Sequence, residues 1–261
     1  MQQLCADLAA EHAALDAVLE AAPDWDAPTP AEGWSIRDTV SHLWYFDQRA
    51  LLALTDPEAF AADAAVLLER GVDASVEPGR AITPEELHAN WRRDRTALIE
   101  HAVTVDPSTR VPWYGPAMGA RSFITARLME TWAHGQDIVD VVGVDREPTD
   151  RLRHVAHIGV RARPFSYAVN GREMPDAEVY VALTGPGRDV SGDAPGDVWE
   201  WGDAAAPDRV TGPALDFCLV VTHRRHLADT ELVIEGDAAT EWMSIAQAFA
   251  GPPGNGRAPQ G

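Results

Sequence analysis

Apolar side chains recur at helical spacing from the start of the chain, at Leu4, Leu8, Leu15, Val18 and Leu19. The same periodicity, with the breaks between its runs, predicts further helices over residues 36–54, 55–71, 83–103, 119–142 and 149–168. Loops are expected over residues 72–82, which are polar, and over residues 105–118, which are rich in proline and glycine. The first two thirds of the chain is therefore predicted to be helical.

Two of these helices carry clear start signals. Ser35 precedes the second helix and Asp38 follows three residues later, which is the spacing of a capping box. Thr83 is followed by Pro84 and then by acidic residues, as expected for a cap and a first turn near the positive end of the helix dipole. Gly143 is expected to end the long helix.

The pattern changes after Asn170, where helical periodicity gives way to alternation. Strands are expected over residues 178–183, 198–201, 209–211 and 232–234. Helices are expected from Pro213 to about Val221 and from Ala238 to about Phe249.

The predicted fold class is an N-terminal all-α part with a small C-terminal α+β part. The boundaries that we predict are residues 1–172 for the helical part, 173–252 for the α+β part and 253–261 for a disordered tail.

The composition restricts the classes of function. There are 41 acidic and 21 basic residues, so the formal net charge is -20, and neither nucleic acid nor an anionic membrane is expected as a partner. Every basic residue is an arginine, which excludes a lysine Schiff base. The two cysteines, Cys5 and Cys218, are too few for a disulfide scaffold or a cysteine-rich zinc site. Any thiol chemistry is therefore expected to use a thiol from outside the chain.

Nothing in the sequence predicts a membrane segment. No stretch reaches the 18 consecutive apolar residues of a transmembrane helix. The first 26 residues are acidic and lack both a basic region and a compact apolar run, unlike a signal peptide. A cytoplasmic location is expected.

The long helix carries the strongest candidate for chemistry. Glu130 and His134 are four residues apart, so their side chains lie one turn apart on one face, which Asp137 continues. A glutamate and a histidine on adjacent turns can bind one zinc-type ion, with a third ligand from another element. His42 lies beside the apolar face of the second helix and is a candidate for that ligand.

Residue types and spacing alone leave other interpretations open. Glutamate and histidine at this spacing are common as an exposed ion pair. His42 by itself is typical of a hydrogen-bonded core histidine, and Asp137 is either a surface acid or a residue that orients a ligand histidine.

Two segments together resemble a known family. GWSIRDTVSHL, residues 33–43, resembles the start of the second helix in the DinB-like superfamily, which includes the mycothiol-dependent maleylpyruvate isomerases. ETWAHGQD, residues 130–137, resembles the family motif Glu-x-x-x-His-x-x-Asp, and the two motifs have the family's order and separation. The resemblance implies a four-helix bundle of the up-down-down-up type, with His42, Glu130 and His134 as metal ligands.

The second part resembles the small α/β domain appended to the isomerase subfamily, most clearly in TGPALDFCLVVTHRRH, residues 211–226. In that subfamily an arginine helps to bind an anionic substrate. Where the family often has Thr-Gly-Arg, this chain has Thr222-His223-Arg224-Arg225. Arg224 and the adjacent Arg225 therefore both stay candidates, and two solvated arginines at a helix end are the alternative.

The resemblance implies a metal-dependent enzyme that acts on an electrophilic, anionic small molecule. Mycothiol would be its co-substrate, and the reaction would be an isomerisation or an S-transfer. Zinc is the first expectation, with nickel, iron and manganese as alternatives, because sites of two histidines and a glutamate accept several metals. Asp137 would orient a ligand histidine or carry a proton, and Arg224 or Arg225 would pair with a substrate carboxylate. Both a monomer and a homodimer are compatible with this fold.

Three other functions stay open. The same scaffold could act without a thiol, as a metal-dependent hydrolase, isomerase or lyase. It could be a metal-stabilised protein that binds a ligand without converting it, or a structural helical domain without metal. A requirement for added thiol would exclude the first alternative, and a fourth protein ligand on the metal would favour the second.

Overall fold

A computed structural model describes residues 1–187, 196–254 and 256–260, which form two compact units over residues 1–145 and 146–261. The first unit is helical, with α1 (Gln2–Ala21), α2 (Ile36–Thr55), α3 (Pro57–Arg70), α4 (Glu77–Arg80), α5 (Pro84–Ala102) and α6 (Ala120–Val142). It also has a 3₁₀ helix (Val72–Ser75) and a short hairpin of β1 (Arg110–Val111) and β2 (Met118–Gly119). No helix in the described part of the chain is long and apolar enough to cross a bilayer.

Four helices enclose the core of the first unit. α1 packs along α6 and α2 packs along α5, while α2 also contacts α6 and α1 contacts α5. Each of the four contributes to one buried cluster, which consists of Leu15, Leu19, Ile36, Val40, Leu43, Leu87, Trp91 and Ile138. The apolar periodicity of the sequence is therefore the stripe that each helix turns towards this core.

The predicted start of α2 is confirmed. The Ser35 hydroxyl accepts from the Asp38 N–H at 3.2 Å, and the Asp38 carboxylate accepts from the Ser35 N–H at 3.0 Å. Arg80 adds two hydrogen bonds to the same carboxylate, at 2.7 and 2.9 Å. The capping box and the arginine fix the N-terminal turn of the helix that carries His42.

The second unit places helices against a mixed sheet. Its elements are α7 (Leu152–Arg161), α8 (Arg163–Val169), β3 (Val179–Thr184), β4 (Val198–Trp201), β5 (Asp208–Pro213), α9 (Ala214–Val221), β6 (Val233–Glu235) and α10 (Asp237–Met243). The strand order is β4-β3-β5-β6, with β3 and β5 parallel and the two outer pairs antiparallel. The sequence thus predicted a helix-rich N-terminal part and a small C-terminal α/β part correctly.

The boundary between the parts differs from the predicted one at 172/173, because the contacts divide the chain at 145/146. α7 packs closely on α9, where a Cβ on Gly159 would lie 2.8 Å from both Phe217 and Val221. Residues 146–172 therefore belong to the second unit. Disorder of residues 253–261 stays a prediction, and residues 255 and 261 lie outside the described part.

Two predicted helices and two predicted loops differ in the structure. The helix expected over 149–168 is two helices, since Pro164 stands in the first turn of α8 and has no N–H for a continuous helix. The helix expected to reach Phe249 ends at Met243, because the N–H groups of Gln247 and Ala248 bond to Ser166 and Val221 instead. The loops expected over 72–82 and 105–118 contain the 3₁₀ helix with α4 and the β1–β2 hairpin.

A buried charge pair joins α2 to α6. Asp47 is completely buried and accepts from the Arg127 guanidinium at 2.9 Å and from the Trp91 indole N–H at 2.9 Å. His12 on α1 brings Nε2 to 3.8 Å from the same carboxylate. Because Asp47 and Arg127 lie on the helices of the two sequence motifs, the pair fixes the register of those helices.

His12 predicts an acid-sensitive contribution to stability. Burial lowers its pKa from 6.5 to about 4; Asp47 and Asp16 oppose this shift, and Arg95 and Arg127 add to it. The unfolded chain therefore takes up a proton that the folded protein excludes, so this contribution is complete above pH 6.5 and falls by about 3 kcal/mol as the pH drops towards 4.

Urea unfolding of the wild type and of His12→Gln between pH 7 and about pH 4.5 measures this contribution. We expect the wild type to lose more stability than the variant over that range, since glutamine takes up no proton. Equal losses in the two proteins would contradict the assignment to His12.

Candidate metal centre

α2 and α6 bring the three predicted ligand residues to one place. Donor atoms of His42, Glu130 and His134 all lie within 4.8 Å of one another. Nε2 of His134 is 3.4 Å from a carboxylate oxygen of Glu130, and the two imidazole centroids are 4.6 Å apart. His42 is buried, whereas the other two are half-buried. The group thus lies at the edge of the core of the first unit.

The donor set fits a divalent ion of the zinc type. Such ions hold imidazole nitrogen and carboxylate oxygen at about 2.0–2.2 Å, which puts neighbouring donors of a tetrahedral site roughly 3–4 Å apart. The His134–Glu130 distance of 3.4 Å already has this value. Among the described residues the group has three members, so an ion held here would keep coordination positions for other ligands.

Ser75 determines which nitrogen of His42 faces the other two side chains. Its hydroxyl lies 3.0 Å from His42 Nδ1 and 2.6 Å from the carbonyl oxygen of Val72. The carbonyl oxygen of Val72 has no proton to donate, so the Ser75 hydroxyl donates its single proton to that carbonyl. The hydroxyl oxygen of Ser75 then accepts a hydrogen bond from a protonated Nδ1 of His42. In the neutral ring, His42 Nε2 is then the unprotonated nitrogen, which is the one that can bind a metal.

The segment around Ser75 is attached to α2 by further hydrogen bonds. The Ser41 hydroxyl donates to the Ser75 carbonyl at 2.9 Å and accepts from the Gly79 N–H at 2.9 Å. A Cβ on Gly79 would lie 2.4 Å from that of Ser41, so only glycine allows this approach. Ser75 was missed in the sequence because it lies in a stretch that reads as a polar loop.

Asp137 lies on the other side of His134. Its carboxylate oxygen is 3.6 Å from Nδ1 of His134, and the residue is only 3% exposed. The two nitrogens of His134 therefore face different carboxylates, Nδ1 towards Asp137 and Nε2 towards Glu130. This arrangement suits the predicted orienting role, which stays a proposal.

Aromatic rings surround the two histidines. The indole of Trp34 is centred 4.8 Å from the ring of His42 and 6.0 Å from that of His134, and Phe46 is 4.6 Å from His42. Phe46 continues into a cluster with Trp113 and Tyr114. Burial raises the pKa of the Tyr114 phenol, which keeps it protonated. The rings that surround the two histidines in this unit thus form a largely apolar environment.

Arg224 and Arg225 follow the end of α9 in the second unit. The chain turns at His223, which has φ 63°, and the Arg224 N–H bonds back to the Leu219 carbonyl at 2.7 Å. This is the hydrogen bond of a Schellman motif, whose left-handed position favours glycine. The guanidinium of Arg224 donates to the Thr222 carbonyl and that of Arg225 to the side chain of Gln260.

The contact between Ser75 and His42 predicts a selective loss of metal affinity. In Ser75→Ala the imidazole loses the acceptor that keeps the proton on Nδ1, so we expect zinc affinity to fall by about 10–100-fold. Ser244→Ala is the matched control, because its hydroxyl also donates to the carbonyl three residues back, that of Glu241, at 2.6 Å. Competition with a chromogenic chelator measures both; equal affinities in the two variants would contradict the role of Ser75.

Comparisons with known proteins cover both units. Residues 8–139 match the family described as the mycothiol maleylpyruvate isomerase N-terminal domain, a range that includes all three residues of the group. Two proteins described as uncharacterized, from the CDC 1551 / Oshkosh and H37Rv strains of Mycobacterium tuberculosis, are each 45% identical over 257 residues, or 97% of both chains.

Two crystal structures have a similar fold. One is of a mycothiol-dependent maleylpyruvate isomerase, with a TM-score of 0.54 and 16% identity, and the other is of a histidine-to-alanine mutant of such an enzyme, with 0.53 and 15%. Each covers 85% of this chain and 89% of the other. The family match extends over half of the chain and contains both motifs. The chain therefore belongs to the family of the mycothiol maleylpyruvate isomerase N-terminal domain.

Proposed function

We propose that the protein is a metal-dependent enzyme that uses a low-molecular-weight thiol, mycothiol, to isomerise an electrophilic, anionic small molecule. The observation that carries the proposal is the meeting of His42, Glu130 and His134 within 4.8 Å, in the unit that matches the family. Isomerisation is preferred to S-transfer because the structural relatives are named as isomerases.

The scaffold that we propose for this site is a four-helix bundle of the up-down-down-up type, made of α1, α2, α5 and α6. Its support is the closed set of contacts among those helices and their shared buried cluster. The two ligand helices would be α2 and α6, so the site is built from elements that are far apart in sequence and held by the core.

The ion that we propose for the group is zinc. When bound, such an ion lowers the pKa of a thiol so that it is present as the nucleophilic thiolate. His42 would bind through Nε2, since Nδ1 is turned to Ser75. Glu130 would contribute a negative charge, and Asp137 would keep the proton of His134 on Nδ1, towards its carboxylate.

The reaction follows from the chemistry of a conjugated acid. The thiol sulfur forms a bond to the β-carbon of the conjugated double bond. The π-electron pair of that double bond moves onto the conjugated carbonyl. Rotation about the resulting single bond is then free, and departure of the same sulfur restores the double bond in the other geometry. The thiol is regenerated, so no oxidant, reductant or leaving group is required.

Arg224 is the arginine that we propose for the substrate carboxylate. The family's glycine position corresponds to His223, which has the left-handed φ of 63° that glycine favours. The residue after it is Arg224, so backbone conformation supports the correspondence of Thr222-His223-Arg224 with Thr-Gly-Arg. A guanidinium binds a carboxylate through two parallel hydrogen bonds.

The thiol distinguishes the proposal from the same scaffold acting without one. We expect the zinc-loaded protein to interconvert cis and trans forms of α,β-unsaturated dicarboxylic acids only when mycothiol is present. His134→Ala should abolish turnover, and His101→Ala, near the end of α5, should leave it unchanged. Turnover of equal rate without added thiol would contradict the proposal.

The two arginines give a second, independent prediction. In Arg224→Gln we expect KM for a dicarboxylate substrate to rise by roughly 10–100-fold with little change in kcat, because a charged hydrogen bond to the substrate is lost. Arg225→Gln is the matched control and should have a KM close to that of the wild type. Steady-state kinetics measure both, and the reverse order of effects would assign the carboxylate to Arg225.

A further inference from the structure

One indole lies against both imidazoles of the three-donor group. The ring of Trp34 is 4.8 Å from that of His42 and 6.0 Å from that of His134, with an angle of only 21° to the latter. The two histidines come from α2 and α6, whereas Trp34 lies in the loop before α2. Trp34 therefore joins the two ligand helices at the position of the group itself.

The loop holds this indole in place at several points. Its N–H donates to the Asp73 carboxylate at 3.1 Å, and the Trp34 carbonyl accepts from the N–H and the hydroxyl of Thr29 at 2.8 and 2.9 Å. Gly33, with φ 80°, provides the left-handed conformation that turns the chain directly before Trp34. A side chain fixed by both its backbone and its ring edge loses little further entropy when it packs on the histidines.

We propose that Trp34 is a positioning residue of the metal centre and that Asp73 holds it there. The indole limits rotation of both imidazoles and keeps water away from one side of the three-donor group. Exchangeable ligands, the thiol among them, would then enter only from the side that Trp34 leaves open. This inference rests on the proposed metal site.

The alternative for Trp34 is ordinary packing, and the chain offers a matched tryptophan for comparison. Trp44 on α2 also donates its indole N–H to an aspartate, Asp94, at 2.7 Å, and it packs on the buried cluster of the first unit. Both tryptophans thus combine a half-buried ring with an aspartate partner. The two tryptophans differ in their ring contacts. Among the described residues, Trp34 has ring contacts with His42 and His134, whereas Trp44 has none with either histidine.

The test uses Co²⁺ bound to the full-length protein, because its visible absorption reports coordination number. For Trp34→Ala we expect about a 10-fold loss of Co²⁺ affinity and weaker absorption, as extra water raises the coordination number. Trp34→Phe keeps an aromatic face and should recover most of the affinity. Trp44→Ala should match the wild type in both spectrum and affinity.

Asp73→Ala provides a second variant that leaves the core intact, since Asp73 is exposed. It should weaken Co²⁺ binding about threefold, with the same direction of spectral change, because the indole loses one hydrogen bond. Wild-type spectrum and affinity in both Trp34→Ala and Asp73→Ala would overturn the inference and leave the proposed function standing. A wild-type protein that takes up no Co²⁺ would overturn both.

Discussion

The candidate site depends on the register between α2 and α6, because His42 lies on one helix and Glu130 and His134 on the other. A slip of one helical turn, about 5.4 Å, would separate them. The buried Asp47–Arg127 pair opposes such a slip, since breaking it would leave an uncompensated charge at a cost of about 3–5 kcal/mol. Trp91 adds a hydrogen bond from α5, so three helices are fixed at this level. The apolar core supplies the stability of the unit, and the charge pair selects one alignment of its helices.

The two histidines of the group have different polar neighbours. His42 depends on a neutral hydroxyl from a segment outside its own helix, whereas His134 faces Asp137 on the same helix. Residues 72–80 contain none of the three donors, but Ser75 bonds directly to His42 and Asp73 bonds to Trp34, whose ring lies beside both histidines. Hydrogen bonds keep that segment against α2: the Ser41 hydroxyl bonds to Ser75 and Gly79, and Arg80 bonds to the Asp38 carboxylate.

Local signals made much of the first unit predictable. The capping box of Ser35 and the spacing of Glu130 and His134 depend on residues within one or two turns, so the sequence displays them directly. The position of His42 made it a candidate third ligand for Glu130 and His134, and the family resemblance selected it. Ser75 could not be found, because its contact with His42 joins residues whose proximity only the packed structure creates. Pro164 is a visible break signal, because proline has no N–H for a continuous helix, and the prediction of one helix over 149–168 does not take it into account.

The most direct measurement of the central claim is zinc uptake. Elemental analysis of the purified protein, followed by isothermal titration of the metal-free form, should show one zinc-type ion per chain. The double variant His42→Ala/His134→Ala should bind no zinc in the same titration and should keep the helical content of the wild type. Unchanged zinc binding by the double variant, or a wild-type protein that neither contains nor takes up a transition metal, would contradict the account.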